Sequence, residues 1–196
     1  MIEPGNIRFG VEQEFHMLRH FVSVAEDKGA QMADAGFSTG DMRREIALLG
    51  SKFFSGFANN IGQLLEKLFR FPYEEMAGLN GNRVLEFRAP ADVYPDGIGT
   101  LAVLPKSSLS HTQQSQIYFK ENRSFMLAHL DVENLPVTER CTLILKPHGT
   151  GWIFITAYPG SAAMPIPNAQ MIAELYQACR EFWAERVFLK VRERSG

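Results

Sequence analysis

Two apolar runs, CTLILK at 141–146 and WIFITAY at 152–158, lie on either side of the breaker PHGTG. Runs rich in β-branched and aromatic residues around a short turn signal predict a β-hairpin. A hairpin constrains a fold strongly, because its register decides which side chains reach the core. With PHGTG as the loop, Lys146 pairs with Trp152, and side chains alternate with period two. Leu145 then faces Ile153, Leu143 faces Ile155, and Cys141 faces Ala157. That face is wholly apolar and is expected to be core. The other face pairs Lys146 with Trp152, Ile144 with Phe154, Thr142 with Thr156, and Arg140 with Tyr158.

The apolar period changes along the chain. Val11, Phe15, Leu18, Val22 and Ala25 recur at spacings of three and four and predict a helix stopped by Gly29. Ser38 with Asp41 resembles a capping box ahead of DMRREIALLG, a second helix. Ser55 precedes Phe57, Ile61, Leu64, Leu65 and Leu68, a third helix that ends before Phe71-Pro72. After the Asn80-Gly81 turn, RVLEFRA, GTLAVLP and QIYFK join the two hairpin runs as short strands. AYPGSAAMPIPN then reads as a rigid, proline-bearing connector. A last helix is expected from about Asn168 to about Arg186, with Ile172, Leu175, Tyr176, Cys179, Phe182 and Trp183 on its apolar face. VFLKVRERSG reads as a frayed tail. The expected class is α+β in one domain over 1–196. Residues 1–76 form a helical part. Residues 82–190 form a mostly antiparallel sheet of about five strands with the C-terminal helix packed on it.

The length of 196 residues suits one domain. Twenty Lys+Arg against 22 Asp+Glu leave a net charge of −2, which does not favour nucleic acid or an acidic membrane surface as partner. The only cysteines, Cys141 and Cys179, form no CxxC and read as buried small hydrophobes. They suit a reducing compartment. No apolar run approaches the ~18 residues of a membrane span. MIEPGNIRFG lacks the pattern of a signal peptide, so a cytoplasmic location is expected.

Candidate chemistry centres on the hairpin's polar face. A phenol beside a guanidinium, Tyr158 next to Arg140, suits an anionic or planar ligand, with Thr156 on the same face. Lys146, Trp152 and His148 mark a ligand-binding end of that face. At ~3.3 Å per residue, His148 lies more than ~20 Å along the strand from Tyr158, so the two do not act on one bond. The plain alternative is a half-solvated face, or one packed under a helix.

Glu12, His16 and His20 fall at i, i+4 and i+8, and two histidines four apart on a helix can share a metal. HMLRH lacks the glutamate of HExxH, so a solvated stripe is expected, with no metal and no cofactor. SSLSHTQQSQ carries His111 among serines without a GxSxG, and reads as a mobile loop. Neither GxGxxG nor GxxxxGK[ST] is present, so no phosphate cradle of those kinds is expected.

VYPDGIGTLAVLP, GTGWIFITAYPG, AMPIP and CREFW together resemble a family of soluble proteins of similar length from bacteria and eukaryotes, built on a domain of unknown function. That resemblance covers about residues 82–186 and implies a compact α+β fold, with no residue roles to carry over. Separately, ITAYPG is similar to a late strand of small ribonuclease toxins of the barnase/RelE-like fold. This second resemblance implies helices before an antiparallel sheet that carries histidine, arginine, threonine and tyrosine on one face.

Three functional readings follow. The first is a small-molecule or protein-binding module that uses the outer face of the 140–158 hairpin. The second is a metal-independent endoribonuclease. There Arg140 binds phosphate, Tyr158 stacks a base or positions the attack, Thr156 donates a hydrogen bond, and His111 or His129 serves as general acid/base. The third is a structural or homo-oligomerising protein whose aromatic face is an interface.

Overall fold

The computed structural model describes residues 2–21, 51–114, 117–119, 126–131 and 134–191. The helix expected at DMRREIALLG and the stretch from Val22 to Gly29 lie outside the described residues. The class is α+β, and the described strands form three sheets.

The largest sheet has five strands. They are β1 (Ile7–Arg8), β3 (Tyr73–Ala77), β4 (Arg83–Arg88), β10 (Arg140–His148) and β11 (Gly151–Pro159), in the order β1-β11-β10-β4-β3. β2 (Lys52–Phe53), β5 (Gly99–Thr100) and β9 (Val137–Thr138) form a three-stranded sheet in the order β2-β5-β9. The third sheet joins β6 (Val103–Pro105), β12 (Arg186–Val191), β8 (Met126–Leu130) and β7 (Ile117–Phe119) in that order. The stretch 1–76, read as helical, thus also supplies β1, β2 and most of β3. Its described α-helices are α1 (Val11–Met17) and α2 (Ile61–Leu68), while α3 (His111–Gln114) and α4 (Ala173–Ala184) come later.

The β10–β11 hairpin forms, but with a shorter loop and a different register. His148 pairs with Gly151, so only Gly149 and Thr150 turn the chain. Gly149 has φ +58°, the sign that a type II′ hairpin requires at its first loop position. Lys146 therefore pairs with Ile153 and Leu145 with Phe154. A β-bulge at Ile155 follows, after which Ile144 pairs with Thr156 and Leu143 with Ala157. One extra residue reverses the alternation. Phe154 goes into the core at 0% exposure and Ile155 lies outside at 37%. The expectation that Ile153 and Ile155 are core and that Phe154 and Trp152 lie outside is corrected. The bulge buries the larger aromatic surface, which contributes more on removal from water. Beyond the bulge the expected sides hold, with Ala157 inside and Thr156 and Tyr158 on the other face.

Below the large sheet, Leu85, Phe87, Cys141, Leu143, Leu145 and Phe154 pack on α2 and on Phe53 and Phe57. α2 presents Ile61, Leu64, Leu65 and Leu68 to this core, all buried. It starts at Asn60, whose side chain accepts from the Gln63 amide at 2.9 Å, and not at Ser55.

The first half of the tail read as frayed, 187–191, lies in strand β12, and the rest of that tail lies outside the described residues. Val187 and Leu189 are fully buried, and β12 runs parallel to β8 and antiparallel to β6. α4 covers this sheet with Trp183, which packs with Leu127, Phe182 and Phe188. The Trp183 indole N–H is shared between the carbonyls of Met164 and Pro165, tying the connector to the helix. No helix among the described residues is long and apolar enough to cross a membrane.

Candidate functional site

The expected face carries Arg140, Thr142, Ile144 and Lys146 from β10, with Thr156 and Tyr158 from β11. Val84 and Glu86 of β4 lie beside them by register. Its lower half is covered by the chain itself. At Gly160, φ +114°, the backbone turns and crosses the sheet. Extended backbone laid over a sheet must find acceptors for its amides. The Ala162 N–H donates to a Glu86 carboxylate oxygen at 3.1 Å, and the Ala163 N–H donates to the Tyr158 hydroxyl at 3.1 Å. Ser161 Oγ donates to Glu86 at 3.1 Å, and Thr142 Oγ1 donates to the Gly160 carbonyl at 2.8 Å. Thr142 is 0% exposed as a result.

Arg140 is ion-paired with the same Glu86. Burial raises the Tyr158 pKa, against the opposing effect of the Ala163 hydrogen bond. Arg140 and Tyr158 therefore share a face, yet both are engaged in holding the strap formed by residues 160–163.

Thr156 has a histidine partner, though neither of the two expected. His16 of α1 places Nε2 3.1 Å from Thr156 Oγ1. α1 follows β1 directly and packs against β11, which β1 has already paired in parallel. Burial, then the nearby Arg19 charge, lowers the His16 pKa and favours the neutral ring. His111 lies in α3, which packs on β8, and His129 lies within β8, so both sit at the four-stranded sheet and not on the hairpin's outer face.

Behind His16, the ring of His20 lies 6.4 Å away, centroid to centroid. His20 is buried, with Nδ1 3.1 Å from the Ser51 carbonyl, and burial pushes its pKa down to about 3. Lys52 donates to the Arg19 carbonyl, and burial, then the Arg19 charge, brings its pKa down to about 8. Ser51 Oγ is buried without a hydrogen-bond partner among the described residues. The stripe expected to be solvated is thus half interior. No group of three His, Cys, Asp or Glu among the described residues is placed to hold a metal.

At the hairpin end, Lys146 and His148 are exposed. Trp152 instead packs against the core from the inner side, which separates it from Lys146.

A cleft of about 420 Å³ opens at the foot of the outer face, between the strap, the four-stranded sheet and α4. Leu101, Val103, Pro136, Ala162 and Ala163 give it apolar walls, and Arg140 and Arg186 are the two cations among its described lining residues. Arg186 begins β12 directly after α4. Its guanidinium lies 4.0 Å from the Phe182 ring centroid and donates to the Phe182 carbonyl at 3.3 Å. No carboxylate pairs with Arg186 among the described residues. The helix expected from the sequence ends at this residue, and the cleft, assembled from four distant segments, leaves no local signal.

Comparison with known proteins returns no matching family model, no matching curated protein and no matching solved structure.

Proposed function

We propose that the chain is a small-molecule-binding module whose site is the cleft at the foot of the hairpin's outer face. The observation that carries this reading is Arg186: a guanidinium stacked on Phe182, without an acidic partner among the described residues, at a concave space with apolar walls. A volume of about 420 Å³ falls within the ~300–1,000 Å³ of small-molecule sites, which are mainly apolar with few polar groups. The rest of the lower outer face has its polar groups committed to the strap. The test is a titration with 1-decanol and with indole, followed through the methyl resonances of Leu101, Val103, Ala162 and Ala163. Saturable shifts confined to these methyls, abolished by Val103→Trp, are expected. Shifts that stay linear and spread over the whole protein overturn the reading.

A second reading, the metal-independent endoribonuclease, is favoured by the contact between His16 and Thr156. A neutral imidazole is the competent form of a general base, here for a ribose 2′-hydroxyl, and Thr156 and exposed Lys146 lie on the same face. In this reading His16 takes the role first given to His111 or His129. Arg140 is then a positioning residue, since Glu86 neutralises it. Incubating pure protein with single-stranded RNA, beside His16→Ala, decides it. Cleavage lost in the variant supports this reading, and no cleavage by the wild type removes it.

A further inference from the structure

We infer that the ligand of this cleft is an amphipathic monoanion, an apolar chain or ring system ending in a single carboxylate-like head that Arg186 binds. The inference rests on the cleft being a binding site and adds the chemical class of what fills it.

Charge sets the head group. Among the described residues two cations line the cleft; Arg140 is matched by Glu86, so the positive charge left uncompensated there is that of Arg186. An arginine holds five N–H donors in a planar fork that fits a carboxylate with two parallel hydrogen bonds. Here one nitrogen, Nη1, is spent on the Phe182 carbonyl, and the plane is fixed by the ring beneath it. The remaining donors are preorganised, and less side-chain freedom is lost on binding.

The walls set the tail. Leu101, Val103, Pro136, Ala162 and Ala163 offer no charged group. The strap amides nearest the cleft already donate to Glu86 and Tyr158 and do not compete for the anion. A dianionic head would bring one charge more than the cleft matches. A cationic head would meet Arg186 directly.

The experiment is isothermal titration calorimetry of the full chain with four probes that share one tail: decanoate, 1-decanol, decyl phosphate and decyltrimethylammonium. Decanoate is expected to bind about 10- to 100-fold more tightly than decanol, the worth of a charge-assisted hydrogen-bonded pair. Arg186→Gln is expected to remove that margin and leave decanol binding within about 2-fold, because only the head loses its partner. If Arg186→Gln does not fold by circular dichroism, Arg186→Lys carries the same test. It keeps the charge without the fork, and decanoate affinity is expected between those of wild type and decanol.

Equal affinity for decanoate and decanol overturns the inference while leaving an apolar binding cleft in place. Decyl phosphate or decyltrimethylammonium binding as tightly as decanoate overturns it too, as does a decanoate affinity unchanged in both Arg186 variants. If no probe binds, the cleft is not a site, and the underlying reading falls with the inference.

Discussion

His16 and Thr156, 140 positions apart in sequence, meet at 3.1 Å across the edge of the large sheet. The contact exists because β1 pairs in parallel with the hairpin end of β11 and releases α1 beside the bulge at Ile155. A neutral hydrogen bond of this kind contributes about 0.5–1.5 kcal/mol net. Thr156→Val and His16→Ala are each expected to destabilise by about that amount or somewhat more. The double variant should lose less than the sum, with a coupling of about 1 kcal/mol. Urea unfolding of the four proteins checks this. Strict additivity would show that the two side chains do not interact in solution.

His20 should govern part of the acid stability. Its folded pKa, about 3, lies below the ordinary 6.5, because burial favours the neutral ring. A group depressed in the fold gives stability that is fully present above about pH 6.5. That stability is lost as pH falls toward 3, because the unfolded chain takes up the proton first. The slope from this one residue approaches about 1.4 kcal/mol per pH unit inside the window. His16, lowered in the same direction, adds to it. His20→Gln keeps a neutral hydrogen-bonding group there and is expected to flatten the difference between unfolding free energies at pH 7 and pH 4. Parallel acid limbs for wild type and variant would count against a buried neutral His20.

Gly160 fixes where the strap leaves β11. Its φ of +114° is costly for any residue with a side chain, and an added Cβ would stand 2.7 Å from Leu101 Cδ2. Gly160→Ala is expected to cost about 1–3 kcal/mol. It should also displace Leu101, a wall of the cleft, and so weaken decanol binding more than Arg186→Gln does. Thermal unfolding and the same calorimetry test both halves of this expectation.

Period two read from CTLILK places Cys141, Leu143 and Leu145 inside, and all three are fully buried. The same reading of WIFITAY misplaces Ile153, Phe154 and Ile155, because a bulge adds a residue without any mark in composition. β12 was legible in principle: Val187 and Leu189 alternate with Phe188 and Lys190, and the basic residues of VFLKVRERSG are what read as a tail. Arg140, Thr156 and Tyr158 do share a side. Whether that side is free could not be read locally, since it depends on Ser161, Ala162 and Ala163 folding back over Glu86 and Tyr158. The partner of Thr156 and the setting of Arg186 are likewise products of topology, joining segments too distant for any motif to span.

Glu86 is the residue on which the strap, Arg140 and the charge balance of the cleft converge. Its carboxylate takes the Arg140 guanidinium, the Ser161 hydroxyl and the Ala162 amide while its side chain is only 13% exposed. Glu86→Gln keeps the shape and removes the charge. It leaves Arg140 without its counter-ion, although Arg140 is 44% exposed and water recovers part of the loss. The expected cost is therefore about 1–2 kcal/mol, below that of breaking a fully buried pair. Amide hydrogen exchange should quicken at Ala162 and Ala163 ahead of global unfolding, because those N–H groups report the strap directly. Arg140 then becomes a second uncompensated cation at the cleft, so the preference among probes should move from decanoate toward decyl phosphate. Exchange at Ala162 and Ala163 that matches the wild type would show that Glu86 does not hold the strap. A probe preference unmoved by the substitution would show that Arg140 does not face the ligand.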